Sequence, residues 1–300
     1  MPSIAGLEIR NASVLALVVD DQGVVGARAD AAGPDLAAAA VEAIQAVQRA
    51  AKKSSAPAAL GIAALNPEAP ATAKAIEAVA ARFPGLLRQS AVIGSGTAGA
   101  VAESWIGAAR GAGDLVYFAV AEHATAGIIR GGQPVTGAHG RSPAAAWLSL
   151  NPVEREDYKR AGCLDAEVGG VGIVKRLIWR IKAGDKSDVQ NLVNGDLTAI
   201  TVDLILDAAR NRDGVSIAVM RDTARYLGMA AANLVAIVDP EVLVLGGIMA
   251  SAADVLLEPI RMELARRLPA PMASALTIKM ASLGAEAAAI GAARHALPST

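Results

Sequence analysis

The stretch VIGSGTAGAVAESW, residues 92–105, has the pattern of a site that could do chemistry. The end of an apolar strand runs through Gly94-Ser95-Gly96 into a helix that starts with small residues and then acquires Glu103. A strand that passes to a helix through glycines is a common place for an α/β protein to bind a phosphate or to hold a catalytic group. The turn itself offers only a hydroxyl, so a working site, a structural turn and a site that has lost its chemistry are three open interpretations.

Two further pairs of polar residues could take part in acid–base chemistry or anion binding. Glu122 and His123 follow an apolar strand, and the pair is either a replacement acid–base pair or part of a hydrogen-bonded turn. His139 and Arg141 either bind an anion or belong to a solvated loop. The sequence alone does not decide between these interpretations.

The elements that must position these residues alternate between strands and helices. A hairpin of residues 14–19 and 24–29 precedes a helix from Asp35 to Lys53, which Asp35 caps. Strands, turns and helices continue along the chain as follows: strand 60–65, helix 70–83, strand 115–121, turn 123–127, strand 128–130, helices 170–182, 188–193, 197–211 and 216–237, strand 242–245, helix 253–267, strand 276–281 and helix 285–296. This order predicts one strand-rich unit used twice, with a division near residues 111–115.

The composition favours a large soluble α/β protein. Hydrophobic residues make up 53% of the chain and aromatic residues only 3%, so alanine and aliphatic side chains must fill the core. The net charge of −1, from 28 basic and 29 acidic residues, gives no electrostatic reason to expect nucleic acid or a membrane as a partner. The longest apolar passage, 227–238, is too short to span a membrane, and the N-terminus has no signal-peptide pattern. With Cys163 as its single cysteine, the chain is expected to be cytoplasmic.

Four stretches resemble the ROK family of sugar kinases and repressors. GLEIRNASVLALVVDDQGVV resembles the family's opening G-x-D-x-G-G-T-K and hairpin, GCLDAEVGGVGIVKR its G-C-L-E-A motif, LGMAAANLVAIVDPEVLVLGGIMA its D-P-E and G-G-G segment, and IGAARHAL its G-A-A ending. The similarity is collinear along nearly the whole chain. It implies an α/β, two-domain actin-like ATPase (ribonuclease H-like) fold with repeated mixed β-sheets flanked by helices.

The resemblance also implies a domain organisation. Residues 1–113 would form an N-terminal subdomain closed by a C-terminal helix, 285–300, and residues 114–284 a C-terminal subdomain that pairs two copies into a homodimer. The family's repressors carry a winged helix before the kinase-like part. Because this chain starts directly at the first strand, we expect no DNA binding.

The catalytic acid of the family is absent. In ROK kinases the segment that matches residues 94–103 reads N-D-A-N-A-A-A-x-A-E, and its aspartate is the general base. Ser95 stands at that position in this chain. A hydroxyl cannot accept a proton near neutral pH, and losing such a base typically costs about 10²–10⁴ in rate.

The nucleotide-binding positions implied by the resemblance are vestigial: Glu8, Gly127, Gly246 and Gly247. In the first phosphate loop only the carboxylate of Glu8 is kept, side chains replace the glycines, and Arg10 could contact an anion. In the second phosphate turn, 121–127, only Gly127 remains, and Glu122 could repel a phosphate. Gly246-Gly247 either contacts a nucleotide or allows close packing at a strand–helix junction, and both interpretations stay open.

The sugar and zinc positions of the family are also changed. Ala144 and Trp147 occupy the Glu and His positions of its E-x-G-H motif, and we expect Trp147 to lie in the core. The family's longer sugar-binding loop is deleted between residues 65 and 70. The motif C-x-C-G-x-x-G-C-L-E keeps only Cys163, so we expect no zinc and no other metal site.

These losses predict a catalytically inactive pseudokinase with a ligand-binding, scaffolding or regulatory role. The predicted partners are a second copy of the chain, in a homodimer, and a small-molecule ligand. The alternative is an ATP-dependent sugar kinase, glucokinase-like, whose catalytic residues are rearranged and which would use ATP and Mg²⁺.

Overall fold

The computed structural model describes residues 3–51 and 57–297, and within this part it describes all side chains except those of residues 87–91. The predicted helix 35–53 and the predicted closing helix 285–300 both extend into residues outside the described range. Among the described residues, no helix combines the length and the hydropathy that crossing a membrane requires.

The described strands form two five-stranded sheets, in the orders β3-β2-β1-β4-β5 and β10-β9-β6-β7-β8. Their bounds are β1 (Ser3–Ile9), β2 (Ser13–Val19), β3 (Val25–Ala32), β4 (Pro57–Ala64), β5 (Leu87–Gly94), β6 (Leu115–Val120), β7 (Ala124–Arg130), β8 (Gln133–Pro134), β9 (Val242–Gly247) and β10 (Thr277–Met280).

The α-helices follow the strands in the alternation that the sequence predicts. Their bounds are α1 (Leu36–Ala50), α2 (Pro70–Arg82), α3 (Ser95–Trp105), α4 (Glu156–Ala161), α5 (Cys163–Val168), α6 (Gly170–Lys182), α7 (Asp188–Leu192), α8 (Val202–Arg210), α9 (Gly214–Val238), α10 (Ile248–Ser251), α11 (Ala253–Arg267), α12 (Ala270–Ala275) and α13 (Ala287–His295).

Two local predictions are wrong. The predicted order starts with the hairpin and omits β1, whose apolar run is interrupted by Gly6 and Glu8. The predicted turn at 123–127 is instead the start of β7, which begins at Ala124. Its residues are small because this strand lies against the first turn of α3, where a Cβ on Gly127 would approach the Gly96 carbonyl oxygen to 2.2 Å.

Close approach of an alanine-rich helix holds the first sheet together. Strand β1 pairs antiparallel with β2 and parallel with β4, and it is almost wholly buried. Helix α13 packs on these strands so closely that a Cβ on Gly6 or Gly61 would lie 1.9 Å from the carbonyl oxygen of Ala289 or Ala292, respectively. Only glycine fits at such distances, which explains how a core with 3% aromatic residues is packed.

Helix α1 begins where the sequence predicts. The Asp35 side chain accepts hydrogen bonds from the backbone N–H groups of Ala37 and Ala38, at 3.0 and 3.3 Å. Its N-cap role is therefore confirmed.

The contacts of the chain define two compact units. Unit 1 comprises Met1–Tyr117, Ala126–Pro143 and Ala281–Thr300, and unit 2 comprises Phe118–Thr125 and Ala144–Met280. The predicted division into residues 1–113 and 114–284 stays a prediction.

Unit 2 is built around α9, the 25-residue helix against which α11 packs. Asp213 caps this helix by accepting from the N–H of Ser216 at 2.8 Å, and it also accepts from Ser187 and from the N–H of Asp188. Burial raises the pKa of the Asp213 carboxyl, but these hydrogen bonds outweigh it and hold the pKa below its usual value.

A buried carboxylate joins α3 to the residues that lead into α13 within unit 1. Glu103 is fully buried, and its Oε1 accepts from the backbone N–H groups of Ser282 and Leu283 at 2.9 and 3.0 Å. Its Oε2 accepts from the N–H of Ala108 at 2.7 Å and from the Ser282 hydroxyl at 3.2 Å. A buried charge is tolerated only when it is satisfied in this way, so Glu103 fixes the end of α3 relative to α13.

We expect Glu103→Gln to destabilise the protein by about 2–3 kcal/mol, because an amide NH₂ would face backbone donors that now meet a carboxylate oxygen. Urea unfolding measures this loss, and Glu42→Gln on the exposed face of α1 is the matched control. Equal midpoints for the two variants would show that the hydrogen bonds of Glu103 contribute nothing.

Candidate functional site

Ser95 is the first residue of α3. Strand β5 ends at Gly94, whose extended backbone (φ −64°, ψ 143°) serves as the N-cap without a side-chain hydrogen bond. The Ser95 side chain interacts with the carboxylate of Glu8 and lowers its pKa. The residue at the predicted catalytic position therefore has an acidic neighbour.

Glu8 reaches Ser95 because β1, β4 and β5 are adjacent parallel strands, with Glu8 opposite Ala63 and the next residue, Ala64, opposite Gly94. Sequence reasoning named both Glu8 and Ser95 but not their contact. That contact follows from the strand register, which becomes readable once β1 is recognised as a strand.

Arg10 forms an ion pair with the carboxylate of Glu8. Its Nε and Nη2 lie 2.8 and 2.7 Å from Glu8 Oε2, and Nη2 also donates to the carbonyl oxygen of Ala285 at 2.8 Å. Burial raises the pKa of Glu8, and the charge and hydrogen bond of Arg10, together with Ser95, oppose this shift. The anion that Arg10 contacts is thus part of the same chain.

Gly127 has a packing reason to be glycine. A Cβ on Gly127 would lie 2.2 Å from the Gly96 carbonyl oxygen, and a Cβ on Gly96 would lie 2.1 Å from the carbonyl oxygen of Ala126. The two backbones pass in direct contact, so both glycines are required whether or not a phosphate binds.

The β6–β7 turn, residues 121–123, is held by an aspartate that sequence reasoning missed. Asp165 of α5 is buried, its Oδ1 accepts from the N–H of Ala124 at 2.6 Å, and its Oδ2 lies 2.8 Å from Nδ1 of His123. Glu122 Oε1 lies 3.9 Å from Nε2 of the same imidazole. The arrangement agrees with the hydrogen-bonded-turn interpretation, with Asp165 rather than Glu122 as the principal partner of His123.

The fold itself also explains why residue 247 is glycine. Its φ is +60°, a region that L side chains rarely adopt, and a Cβ there would lie 1.9 Å from the carbonyl oxygen of Val120. The end of β9 therefore packs on the backbone of β6 through Gly247. This supports the close-packing interpretation of Gly246-Gly247 without requiring a nucleotide.

Of the two residues at the predicted sugar positions, Ala144 precedes the 3₁₀ turn Ala145–Trp147 and Trp147 is its last residue, and both are exposed. The expectation that Trp147 lies in the core is wrong, because 58% of this residue is accessible. That expectation placed the indole in the space of the sugar, whereas the turn buries Ala145 instead. Ala144 is exposed too and offers a sugar no side-chain donor or acceptor.

The loop around His139 and Arg141 lies at the surface of unit 1. Arg141 donates through Nε and Nη2 to Glu68 Oε1, at 3.2 and 2.7 Å. Both partners are about two-thirds exposed, so this ion pair adds little stability.

A carboxylate-centred network occupies the stretch that matches the zinc motif. The hydroxyl of Tyr158 donates to the buried Glu167, whose Oε1 lies 2.8 Å from Arg155 Nη1 and whose Oε2 lies 2.7 Å from Arg176 Nη2. Burial first, and then Glu167, raises the pKa of Tyr158. These contacts link α4, α5 and α6, and Arg176 Nη2 also donates to the backbone carbonyl oxygen of Glu167.

Cys163, the last cysteine position of that motif, is buried, and its Sγ accepts from the backbone N–H of Leu150 at 3.4 Å. Within the described ranges, no cluster of three or more His, Cys, Asp or Glu side chains has the geometry to hold a metal ion. The absence of zinc stays a prediction, and the Glu167 network supplies the cross-links that a metal could otherwise give.

Comparison with known proteins identifies relatives of this chain. The model of the ROK family matches residues 92–298. A glucokinase of Halalkalibacterium halodurans is 26% identical over 194 residues, which are 64% of this chain and 58% of that protein. The match thus spans less than two thirds of that relative's own length.

Solved structures show the same fold. A ROK family glucokinase from Streptomyces griseus, in complex with glucose and AMPPNP, superposes with a TM-score of 0.80 at 24% identity, covering 98% of this chain and 99% of that one. A ROK family transcriptional regulator, a homologue of the Escherichia coli MLC protein, gives a TM-score of 0.83 at 18% identity, covering 98% of this chain and 77% of the other. The predicted actin-like ATPase fold is confirmed.

The His123–Asp165 pair makes stability depend on pH. The hydrogen bond to Asp165, followed by the charges of Asp165 and Glu122, raises the pKa of His123 above 6.5 against the effect of burial. Below the pKa that His123 has in the unfolded chain, the pair makes its full contribution to the free energy of unfolding. This contribution is lost as the pH rises through the raised pKa of His123 in the folded protein.

We expect His123→Gln to lose more stability at about pH 5.5 than at about pH 8.5, as measured by urea unfolding. His139→Gln, on the exposed loop, is the control. Equal losses for His123→Gln at both pH values would contradict this assignment.

We expect chelation by EDTA to leave the melting temperature unchanged, because Tyr158 and the arginine–Glu167 pairs make the cross-links between helices. Metal analysis of the purified protein is the companion measurement. One tightly held zinc per chain, with unfolding on chelation, would overturn this prediction and the alignment of residues 156–163.

Proposed function

The chain belongs to the ROK family, and we propose that it is a sugar-kinase homologue that no longer catalyses phosphoryl transfer. Its role would be to bind a ligand or a partner, as a scaffold or a regulator. The observation that carries this proposal is Ser95, the residue that matches the general base of the kinases.

The environment of Ser95 does not convert it into a base. Its hydroxyl interacts with Glu8, whose carboxylate lies 2.7 Å from the guanidinium of Arg10. The carboxylate that could take a proton is thus already compensated by a fixed cation. Losing a general base typically costs about 10²–10⁴ in rate, before any loss of nucleotide binding is counted.

The turns that match the phosphate-binding segments do not fit the phosphates of ATP. In the first turn, Arg10, Asn11 and Ala12 carry side chains where backbone N–H groups would have to approach phosphate oxygens, and Arg10 is paired with Glu8. In the second, the N–H of Ala124 is donated to Asp165 at 2.6 Å. An incoming phosphate would have to displace a carboxylate of the chain itself, so these turns do not suit ATP.

One observation favours the alternative, an ATP-dependent sugar kinase with rearranged residues. Glu8 lies beside Ser95, and burial raises its pKa, as expected of a carboxylate that is to act as a base. The Streptomyces griseus relative binds glucose and AMPPNP on the same fold. Under this alternative Glu8, on β1, would replace the missing aspartate.

A turnover assay separates the two. With ATP and glucose, mannose or an N-acetylated hexosamine, we expect no turnover within a thousandfold of the roughly 1–100 s⁻¹ of ordinary kinases. Ser95→Asp should not restore activity, because the phosphate turns remain occupied. Sugar-phosphate formation is followed directly, so that ATP hydrolysis alone is not counted.

Glu8→Gln sharpens this test. If the wild-type chain turns over a sugar, and Glu8→Gln lowers the rate by about 10²-fold or more while Glu68→Gln does not, the kinase alternative is correct and Glu8 is its base. Glu68 is the matched control because its carboxylate is exposed. Among the described residues, its only ion-pair partner is Arg141.

We further propose that the protein is a homodimer that pairs through residues 114–284. The family resemblance motivates this proposal, and exposed apolar side chains in unit 2 support it. Ile237 of α9 is 75% accessible and Met262 of α11 is 69% accessible. An obligate dimer buries roughly 2,000 Å² or more of largely apolar surface, and these helices could contribute to such an area.

Light scattering at low micromolar concentration tests the dimer. We expect about twice the 30.3 kDa of the chain, and a lower mass for Ile237→Glu, which would bury a charge at the interface. Val24→Glu, at a residue of unit 1 that is 62% accessible, is the matched control and should keep the dimer mass. A wild-type mass near that of one chain defeats the proposal.

A further inference from the structure

Strand β3 is the edge strand of the first sheet, and one of its two sides faces away from β2. The N–H of Gly33, just beyond β3, donates to the carbonyl oxygen of Ala12, the residue before β2. In an antiparallel pair, the backbone groups of successive residues point alternately toward the partner strand and away from it. The register therefore places the N–H and C=O groups of Arg28 and Asp30 on the free edge. Among the described residues, no backbone hydrogen bond outside the β2–β3 pair uses these groups.

The side chains of β3 leave this edge open to a strand that matches its charges. The strand has eight residues and contains neither lysine nor proline, two residues that commonly protect an exposed edge from pairing. Arg28 and Asp30 lie on the same face of the sheet, 3.0 Å apart, and both side chains are about half exposed. Arg28 also lies 3.3 Å from Glu286. A strand with like charges opposite these two residues would be repelled.

A second copy of β3 matches these charges in one antiparallel register. With Ala29 opposite Ala29 of the second copy, each Arg28 lies opposite an Asp30. A twofold axis at Arg28 would place two arginines opposite each other, and one at Asp30 would place two aspartates opposite each other. Because like charges directly opposite destabilise a strand pair, the charges select the register centred on Ala29.

The helix that covers β3 leaves room for such a pair. Helix α1 packs on β2 and β3, against the face that carries Ala27, Ala29 and Ala31. Since neighbouring strands are about 4.8 Å apart, the two copies of α1 in a continuous sheet would lie about 10 Å apart. This is the distance at which helices pack side by side. The α1 helices thus do not keep the two edges from meeting.

We propose that β3 is a self-association edge, through which two copies of this chain pair antiparallel about a twofold axis at Ala29. Arg28 of one copy and Asp30 of the other exchange both backbone hydrogen bonds, and their side chains pair across the seam. The area buried by one strand and one helix of each copy is small, so the pair forms only well above low micromolar concentration. The edge belongs to unit 1, so the proposal rests neither on the loss of kinase activity nor on the dimer through residues 114–284.

Disulfide cross-linking tests the register. Ala29 and its copy would form a non-hydrogen-bonded pair with Cα atoms about 4.5 Å apart, which is within the range of a disulfide. We expect Ala29→Cys at about 100 µM, with diamide as the oxidant, to give a covalent dimer on a non-reducing gel. Ala31→Cys, on the same face of β3, is the matched control, because its thiols would be about 14 Å apart along the strands. The native Cys163 is buried, so wild type provides the blank.

Two further sets of variants decide whether the charges select this pair. Mixing Ala27→Cys with Ala31→Cys should give a cross-link that neither variant forms alone, because the register places these positions opposite each other. Added to Ala29→Cys, Arg28→Asp should lower the cross-linked fraction about tenfold, since like charges then meet twice across the seam. Adding Asp30→Arg to that variant should restore the cross-link, although the contact of Arg28 with Glu286 stays lost.

The same measurements on an Ile237→Glu background separate this edge from the proposed dimer of unit 2, and the cross-link should persist there. Equal cross-linking of Ala29→Cys and Ala31→Cys would overturn the proposal, as would a charge reversal that fails to restore the cross-link. If Ala29→Cys does not fold, light scattering at about 0.5 mM compares wild type with Arg28→Asp, and wild type should have the higher mass. Equal masses would also overturn the proposal.

Discussion

Direct contact between backbones is the constraint on which unit 1 depends. Helix α13 meets α3 and the first sheet at distances that leave no room for a Cβ at Gly6, Gly61 or Gly291. Close packing of this kind gains dispersion energy without large side chains, and it fixes helices relative to strands more rigidly than flexible side chains would. The position of Ser95 at the start of α3 is therefore set by the packing of its helix, independently of any chemistry that Ser95 performs.

Buried carboxylates are the second organising principle, and each has donors from a different segment. Glu103 accepts from residues that lead into α13, Asp165 from the β6–β7 turn, and Glu167 from Tyr158 and two arginines. Burying a charge is costly unless its lone pairs are used, so each acid joins segments that are distant in sequence. The partners of Asp165 and Glu167 are thus groups of the chain itself.

The sequence was sufficient for the fold class and for elements with clear local signals. The cap at Asp35 and the bounds of α6 and α11 follow from residue type and helical periodicity, which act locally. The sequence did not predict strand β1 because Gly6 and Glu8 interrupt its apolar run. The presence of both residues is explained by contacts with neighbours that are far along the chain. The expectation for Trp147 was wrong because it placed the indole in the space of a sugar, and the side chain is exposed instead.

The site was predictable only in part, for a related reason. Family resemblance identified Glu8 and Ser95 as matching positions, but their interaction depends on the order of three strands. The partnership of His123 with Asp165 spans 42 residues, and no periodicity or spacing announces it. Such contacts are decided by tertiary packing, which a single sequence does not display.

Gly247 has an implication for how relatives of this chain are recognised. Its left-handed backbone and its contact with Val120 demand glycine for the fold itself, whether or not a nucleotide binds. A glycine at this junction is therefore a signature of the fold. Genome surveys that count such a glycine as a sign of catalysis count a packing requirement and not a reaction.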